Sequence, residues 1–461
     1  MEKIKFLVLI VLLTANFAQA ADVAGSVGYM SGTLVAQRAD GTIKILAPKS
    51  EVLAGDTLVT AKDSYAQVQM NDGAQMTLRP HSNLRIESYQ FNKEEPKSDN
   101  AVLRLLKGGF RTVTGLIGKR GDPDAYKLHA ATATIGIRGT DFTSRLCATR
   151  DCQDDEAAGA KQAAKPQETQ SQVVGRVMLA QGELSAKDMG GKERKLGLGA
   201  PVYEGDALAT GVKSHAVVAF RDEGRVSLQE NTVFQVEKFK YDKPAAQENA
   251  VLRLLKGGVR VVTGLIGRVN RDNYQFRLAN ATIGIRGTGF DAWCNGPCAD
   301  GADNPGATPD KPLDGAGVYV WAGEVALVTP AGSFNVALQQ AAIIARDTGK
   351  PVRIMVIPPS VIDNSTPRPD SIPVDTKKLF GTEANMGEPG LYVTVHDGNV
   401  ILTQDGKKLE LRSGETGFST EQMLMRLASP PAFMSGDKKL DPSGSGIKDQ
   451  KGGIPEGGCK I

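Results

Sequence analysis

The chain has 461 residues, a formal net charge of +3 at pH 7, 52 glycines and only 5% aromatic residues. A charge so close to balance leaves no electrostatic footprint for general nucleic-acid binding and no acidic tail, and the length allows roughly two to four domains. Apolar residues come mostly as Val, Leu and Ile in short runs, with no long stretch of 3.6-residue period. The expectation is therefore an all-β protein of many short strands and tight turns.

The chain opens with the features of an export signal. "MEKIK" is a short, mostly basic start, "FLVLIVLLTA" an apolar core and "AQA" (Ala18–Ala20) a small-residue cleavage site. Residues 1–20 are expected to be removed, leaving a mature chain from Ala21. The apolar run falls short of the roughly 20 residues that span a bilayer. No Cys stands at the cleavage point to carry a lipid, and no later segment reads as a transmembrane span.

Beyond residue 20 the dominant feature is an internal repeat. Gly-Asp-x-Leu-x-Thr occurs at Gly55–Thr60 and Gly205–Thr210. "AVLRLLKGGFRTVTGLIGK" (Ala101–Lys119) answers to "AVLRLLKGGVRVVTGLIGR" (Ala250–Arg268), and "ATIGIRGT" closes both copies at Ala133–Thr140 and Ala281–Thr288. Copy one spans residues 25–146 and copy two 174–293. A polar, Ala/Gln-rich linker, 154–172, lies between them. Apolar pairs recur every eight residues, as in Val68/Met70, Met76/Leu78 and Leu84/Ile86. Each pair points one way from a strand of period two. The reading is two repeated β-meander or β-solenoid-like sandwich domains; burial of alternate residues fits either.

Two smaller β modules come next, at 315–357 and 388–418. Their sequences "GVYVWAGEVALVTPAGSFNVAL" (Gly317–Leu338) and "GLYVTVHDGNVILTQDGKKLEL" (Gly390–Leu411) read alike as strand, Gly turn, strand, Gly turn, strand. Residues 358–387 between them are proline-rich and read as an extended linker. Residues 435–461 lack the apolar content to fold alone.

The candidate chemistry is sparse. Cys147/Cys152 and Cys294/Cys298 follow the two closing motifs at nearly equal distance. In an exported chain they are most simply two small-loop disulfides. A four-thiolate zinc site is the rival, disfavoured by the spacing, and Cys459 has no obvious partner. The four histidines (His81, His129, His215, His396) form no local cluster. No Gly-x-Ser-x-Gly elbow, His-Glu-x-x-His or Walker-type loop occurs. Asp56 and Asp206 of the Gly-Asp pairs read as turn-shaping residues rather than a carboxylate site. No cofactor or metal is implied.

Basic residues recur on the long hairpin strand: Arg104, Lys107 and Arg111 in copy one, Arg253, Lys256 and Arg260 in copy two. They suit either a solvated strand face, which is the favoured reading, or a contact with an anionic partner. In the closing motif, Ile135 and Ile137 share one face, with Thr134, Arg138 and Thr140 on the other. Gly136, Gly139, Gly284 and Gly287 are expected where neighbouring strands approach closely. Asp141 adjoins the motif in copy one, but copy two has Gly289 there and Asp291 two residues on. Proton transfer needs contact at about 3 Å, so the shift argues for a structural partner of Arg138 or Arg286 and against an acid/base pair.

Taken together, Gly-Asp-x-Leu-x-Thr, Ser64–Ala66 with Asp72-Gly73, Leu-Leu-Lys-Gly-Gly and Ile-Gly-Ile-Arg-Gly-Thr resemble the FecR-type periplasmic domain, twice over. The resemblance implies a β-rich, non-catalytic envelope module. The best-known members are transmembrane sensors that relay ferric-siderophore receptor occupancy to a sigma factor. Here the sigma-binding segment and retained membrane helix of such sensors are missing from the pattern. The expected function is an exported, non-enzymatic binding or scaffold protein of the cell envelope, located in the periplasm, at the outer membrane or outside the cell. Its expected partner is an envelope protein or polymer rather than a nucleic acid. The alternative is a soluble regulatory partner in a siderophore-type surface-signalling system, acting by strand pairing.

Overall fold

The computed structural model describes residues 22–435, apart from 121, 123, 149–151, 153–171, 242–247, 286–288, 302–304, 356–365 and 383–386. The expected signal, the linker from 154 to 171 and the tail beyond 435 lie outside the described residues. Strands dominate, gathered into two large mixed sheets that each draw on roughly half of the chain. Among the described residues no helix exceeds five residues. The chain forms two compact units, one up to Thr140 and the other from Asp141 onward.

Copy two shows how the eight-residue rhythm folds. Its strands are dealt alternately to two layers. Val173–Gln181 pairs with Pro201–Tyr203 and His215–Phe220 in one layer, and Leu184–Lys187 pairs with Glu193–Lys195 and Ala207–Thr210 in the other. The inward residues of both layers meet in one core that includes Val218, Phe220, Phe234, Phe276 and Phe290. Phe276 of one layer stands edge-on to Phe290 of the other at 5.3 Å. Each such ring, taken fully out of water, contributes about 2–3 kcal/mol. The repeat is thus a two-layer sandwich, and the meander-or-solenoid choice resolves to strands that keep changing layer.

The change of layer is made by long strands with glycine corners. In Asn249–Val262 the residues before Gly257 pair with Val233–Lys240, and those from Val259 on pair with Arg225–Leu228. Gly257 has φ +85°, and a Cβ there would lie 2.7 Å from Thr232 Cα. The Thr232 hydroxyl accepts from Gly258 N at 3.1 Å and donates to Gly258 O at 3.0 Å. Copy one repeats this in Asn100–Val113. Gly108 has φ +75° with a Cβ position 2.6 Å from Ser82 Cα, and Ser82 Oγ accepts from Gly109 N at 2.9 Å and donates to Gly109 O at 2.8 Å. The threonine of Gly-Asp-x-Leu-x-Thr supports the corner from behind, since Ser82 N donates to Thr60 Oγ1 and Thr232 N to Thr210 Oγ1, both at 3.0 Å.

The closing motif makes a second crossing. Ile135 and Ile137 are buried and Arg138 is exposed, as alternation requires, but Thr140 is also buried. The expected outward position of Thr140 is therefore overturned. Gly139, at φ +55°, inserts one residue into the alternation in the manner of a β-bulge, and Thr140 then exchanges bonds with Thr114. Thr140 N donates to Thr114 Oγ1 at 2.8 Å, and Thr114 N donates to Thr140 O at 3.0 Å. Close packing is not what requires Gly139, because a Cβ there meets nothing nearer than Lys119 Cγ at 3.5 Å; the left-handed backbone does. At Gly284 a Cβ would also fit, its nearest neighbour being Ala326 O at 3.8 Å. The corresponding Arg286 and Gly287 of copy two lie outside the described residues.

The first small module continues copy two. Ala316–Ala322 pairs with Gly289–Cys294 in one layer, and Val325–Thr329 pairs with Ala281–Ile285 in the other. Val318, Val320, Val325 and Leu327 enter the same core. The last module, Gly390–Gln404 with Lys407–Arg412, Thr416–Ser419 and Leu424–Leu427, packs Tyr392, Phe418 and Phe433 against the Cys147–Cys152 pair. Thr143 Oγ1 lies 2.8 Å from His396 Nε2.

Glycine corners and open glycine turns should respond differently to alanine. Gly257→Ala meets Thr232 backbone and is expected to lose about 3 kcal/mol or more in urea unfolding. Gly73→Ala has a similar φ of +88° with nothing within 4 Å, and about 1 kcal/mol is expected. Equal losses at the two positions would show that the corner contact does not matter.

Candidate interaction site

The six basic residues expected to face a partner do not form one stripe, because the glycine corner moves the strand to the other layer between the second and third of each set. Arg104 is half-exposed and pairs with Glu87, its Nε donating to Oε1 at 2.5 Å. Lys107 and Lys256 are exposed, and Arg111 is half-buried. Arg253 Nε lies 2.6 Å from Glu237 Oε1, while the other oxygen takes Arg277 Nη1 at 2.8 Å. Arg260 is 6% exposed. Of the closing-motif residues, Arg138 is exposed and Gly136 half-buried.

Arg260 belongs to an internal clamp that the sequence did not reveal. Its Nε faces Asp291 Oδ2 at 3.3 Å, and its Nη1 donates to Thr366 O at 2.9 Å. Trp321 Nε1 donates to Asp291 Oδ1 at 3.1 Å, and the Arg368 guanidinium lies 4.7 Å from the Trp321 ring centre. Burial pushes Asp291 up to about 7 against the opposing pull of Arg260. Asp291 thus pairs with Arg260 of the neighbouring strand. The proline-rich segment is fastened here, with a turn at Pro369–Ser371 and a short helix at Thr376–Phe380 whose N-cap Asp375 accepts from Lys378 N. Arg225 Nη1 reaches Pro369 O, and Arg221 stacks on Phe380 at 5.3 Å.

A second buried charge cluster ties the last module to copy two. Arg176 pairs with Glu415, which Arg426 also approaches at 3.4 Å. Arg176 Nη1 donates to Gly199 O at 2.7 Å, and Tyr203 OH to Ser413 O at 2.7 Å. Desolvation lowers Arg176 to about 9, with Arg426 and other guanidinium groups adding repulsion. Removing one member of such a group leaves an uncompensated charge out of water.

The carboxylates at the repeated turns are structural. Asp56 accepts from Arg38 Nη1 at both carboxylate oxygens and from the Leu53 amide. Asp206 accepts from Arg194 and from Tyr203 N. Asp72 and Asp222, one per copy, are buried and hold the neighbouring turn. Asp72 accepts from Ala74 N at 2.9 Å, Ile117 N at 3.1 Å and Tyr89 OH at 2.6 Å. Copy two has Phe239 in place of Tyr89, and Asp222, lacking that phenol, is raised to about 6 by burial. The recurrence of Asp at this position in both copies was the available signal.

Arg253 and the second cysteine pair do come together. They line an open cleft of 440 Å³ with Leu255, Asn280 and Pro305. The cysteines form two disulfides, Cys147–Cys152 and Cys294–Cys298, with Cα separations of 5.7 and 5.2 Å. Among the described residues no group of three or more His, Cys, Asp and Glu is placed to hold a metal. His129 and His396 each meet a threonine hydroxyl, Thr134 at 3.0 Å and Thr143 at 2.8 Å. No helix among the described residues is long and apolar enough to cross a membrane.

Comparison with known families agrees with this framework. The family described as FecR protein matches residues 56–156 and 206–302. No curated protein matches the chain. Two crystal structures of a protein from Parabacteroides distasonis, named a "putative anti-sigma factor", at 1.65 and 2.50 Å, share 15% identity with the chain. The alignment covers 32% of this chain and 57% of that one, so the chain spans little more than half of that relative's length, at a TM-score of 0.23.

Two outcomes are expected of the buried carboxylates. Folding raises the Asp222 pKa above its ordinary 3.8, so the folded protein holds that proton more tightly and gains stability as pH falls from above 6 toward 4. The gain is at most about 1.4 kcal/mol per pH unit. Melting temperatures at pH 7.5 and 5.5 should show it, and Phe239→Tyr should shrink it by supplying the donor that Asp72 has. For the clamp, Asp291→Asn should cost about 3–5 kcal/mol by leaving Arg260 buried without its carboxylate, whereas Arg260→Met with Asp291→Leu should cost much less. A double variant that loses as much as Asp291→Asn or more would show the two residues to be uncoupled.

Proposed function

The chain carries two FecR domains, and we propose that it serves as an exported, non-enzymatic binding or scaffold protein of the bacterial cell envelope. The observation that carries this reading is the disulfide placed at nearly the same point of each repeat, its first cysteine ending a strand shortly after the closing motif. Such bonds form and persist outside the reducing cytosol. The final compartment is the periplasm, the outer membrane or the exterior. The buried aspartates are committed to backbone amides, arginines and, in copy one, a phenol, which suits a rigid framework presenting its outer strand faces. The partner is an envelope protein or polymer.

A second reading is favoured by one feature. Among the described residues, strand Ile43–Leu46 pairs only with Leu34–Gln37, and a free edge of that kind accepts an added strand. On that reading the protein is a soluble regulatory partner in a siderophore-type surface-signalling system. Abolition of the siderophore-dependent transcription response on deleting the gene would promote it.

The test is affinity capture with the mature chain from envelope fractions, beside Lys107→Glu and Lys256→Glu controls. One envelope component is expected to be retained by the native protein and reduced in the charge-reversed variants. Turnover of an envelope glycan or peptide by the purified chain would overturn the non-enzymatic reading.

A further inference from the structure

The two copies share one framework, so a surface that differs between them is a built-in comparison. On the outward face of the layer containing the free edge, strand pairing aligns Ile45 with Val35 and Val35 with Val59. Pairing continues through Asn83 to Lys107. The same register in copy two aligns Lys195, Ser185, Ala209, Val233 and Lys256. The lysine at one end, Lys107 or Lys256, is common to both copies, while the apolar end, and Arg85 where copy two has Gln235, belong to copy one alone. Ile43 and Ile45 are 72% and 75% exposed, and Val35 and Val59 are half-exposed beside them. Leu46 and Leu196, one residue further along, are buried in both copies. The edge strand is thus held the same way in each, and the difference is confined to the face.

We propose that this face of copy one docks an acidic amphipathic helix of a partner protein, a conclusion that rests on the binding reading given above. The row crosses five strands at about 4.8 Å each, a span of about 19 Å. Roughly thirteen helical residues cover that distance at about 1.5 Å apiece. Apolar side chains of the helix would cover Ile45, Val35 and Val59. Its carboxylates would meet Lys107 and the exposed Arg85, which lies beside Arg104 in the next row. Arg104 already has Glu87, so the open positive charge sits at the Lys107 end, and charge complementarity selects an acidic occupant over a basic or neutral one. A second copy of the chain offers no such match, because its own face would set Lys107 and Arg85 against either like charges or the uncharged Ile45 end.

The test selects a library of 15-residue displayed peptides against the mature protein. Sequences combining Leu or Ile with Asp or Glu are expected to be enriched. A labelled enriched peptide should bind at least tenfold more weakly to the variant Val35→Ser, Ile45→Lys, Val59→Ala. That variant carries the residues copy two places in the same strands, so its circular dichroism and melting should stay near native. Lys107→Glu should also weaken binding and flatten its salt dependence. Undiminished binding to the triple variant, enrichment of basic peptides, or a concentration-dependent dimer that the triple variant abolishes would each overturn the proposal. If the triple variant still captures the envelope component, the face is wrong while the binding reading stands. If native protein captures nothing, the binding reading itself fails.

Discussion

A side-chain hydroxyl holds each glycine corner, and the sandwich depends on that grip. At Gly108–Gly109 and Gly257–Gly258 the long strand must leave one layer and enter the other without leaving backbone groups unpaired in the core. Ser82 and Thr232 answer both the N–H and the C=O of the second glycine. An unpaired buried pair of that kind would cost several kcal/mol. The first glycine supplies the left-handed turn, and its missing Cβ lets the hydroxyl residue's backbone come close. The threonine of Gly-Asp-x-Leu-x-Thr then fixes the hydroxyl residue's own amide. Three motifs far apart in sequence are therefore parts of one corner, which explains their joint retention in both copies.

Once a strand changes layer, the strands after it are divided between two sheets, and each sheet is left with an edge. In copy two the first small module covers both edges, one strand to each layer, and adds its apolar residues to the existing core. The last module is attached by the buried pair Arg176–Glu415, and the segment between the modules by Arg260, which is paired with Asp291 and also donates to Thr366 O. Buried pairs add little net stability because desolvation offsets attraction, but they penalise any arrangement that separates them. They specify where these segments sit more than how strongly they hold.

The copies differ where the framework is not at stake. Tyr89 has become Phe239, leaving Asp222 with a weaker set of donors than Asp72. On the outer face Val35, Ile45 and Val59 stand against Ser185, Lys195 and Ala209, and Asn83 and Arg85 against Val233 and Gln235. The corner, the bulge and the core pairs keep their residue types. The proposed docking face of copy one lies among these differences.

Much of this was legible in the residues themselves. Period-two apolar pairs fixed the strands and their inward faces, because alternation follows from backbone geometry alone. Paired cysteines at nearly equal distance from the closing motif pointed to the two disulfides, and the repeat pointed to two segments of one family. The sequence could not say that Thr140 is buried, since that follows from the positive φ at Gly139. It could not tell that Arg260 lies inside while Lys256, four residues earlier, lies outside, since the Gly-Gly corner between them changes the layer. Nor did it show Asp291 facing Arg260, or residues 366–371 fastened beside them. Such contacts join positions as much as 106 residues apart, and only the packing of two layers decides which of many possible partners a buried charge will meet.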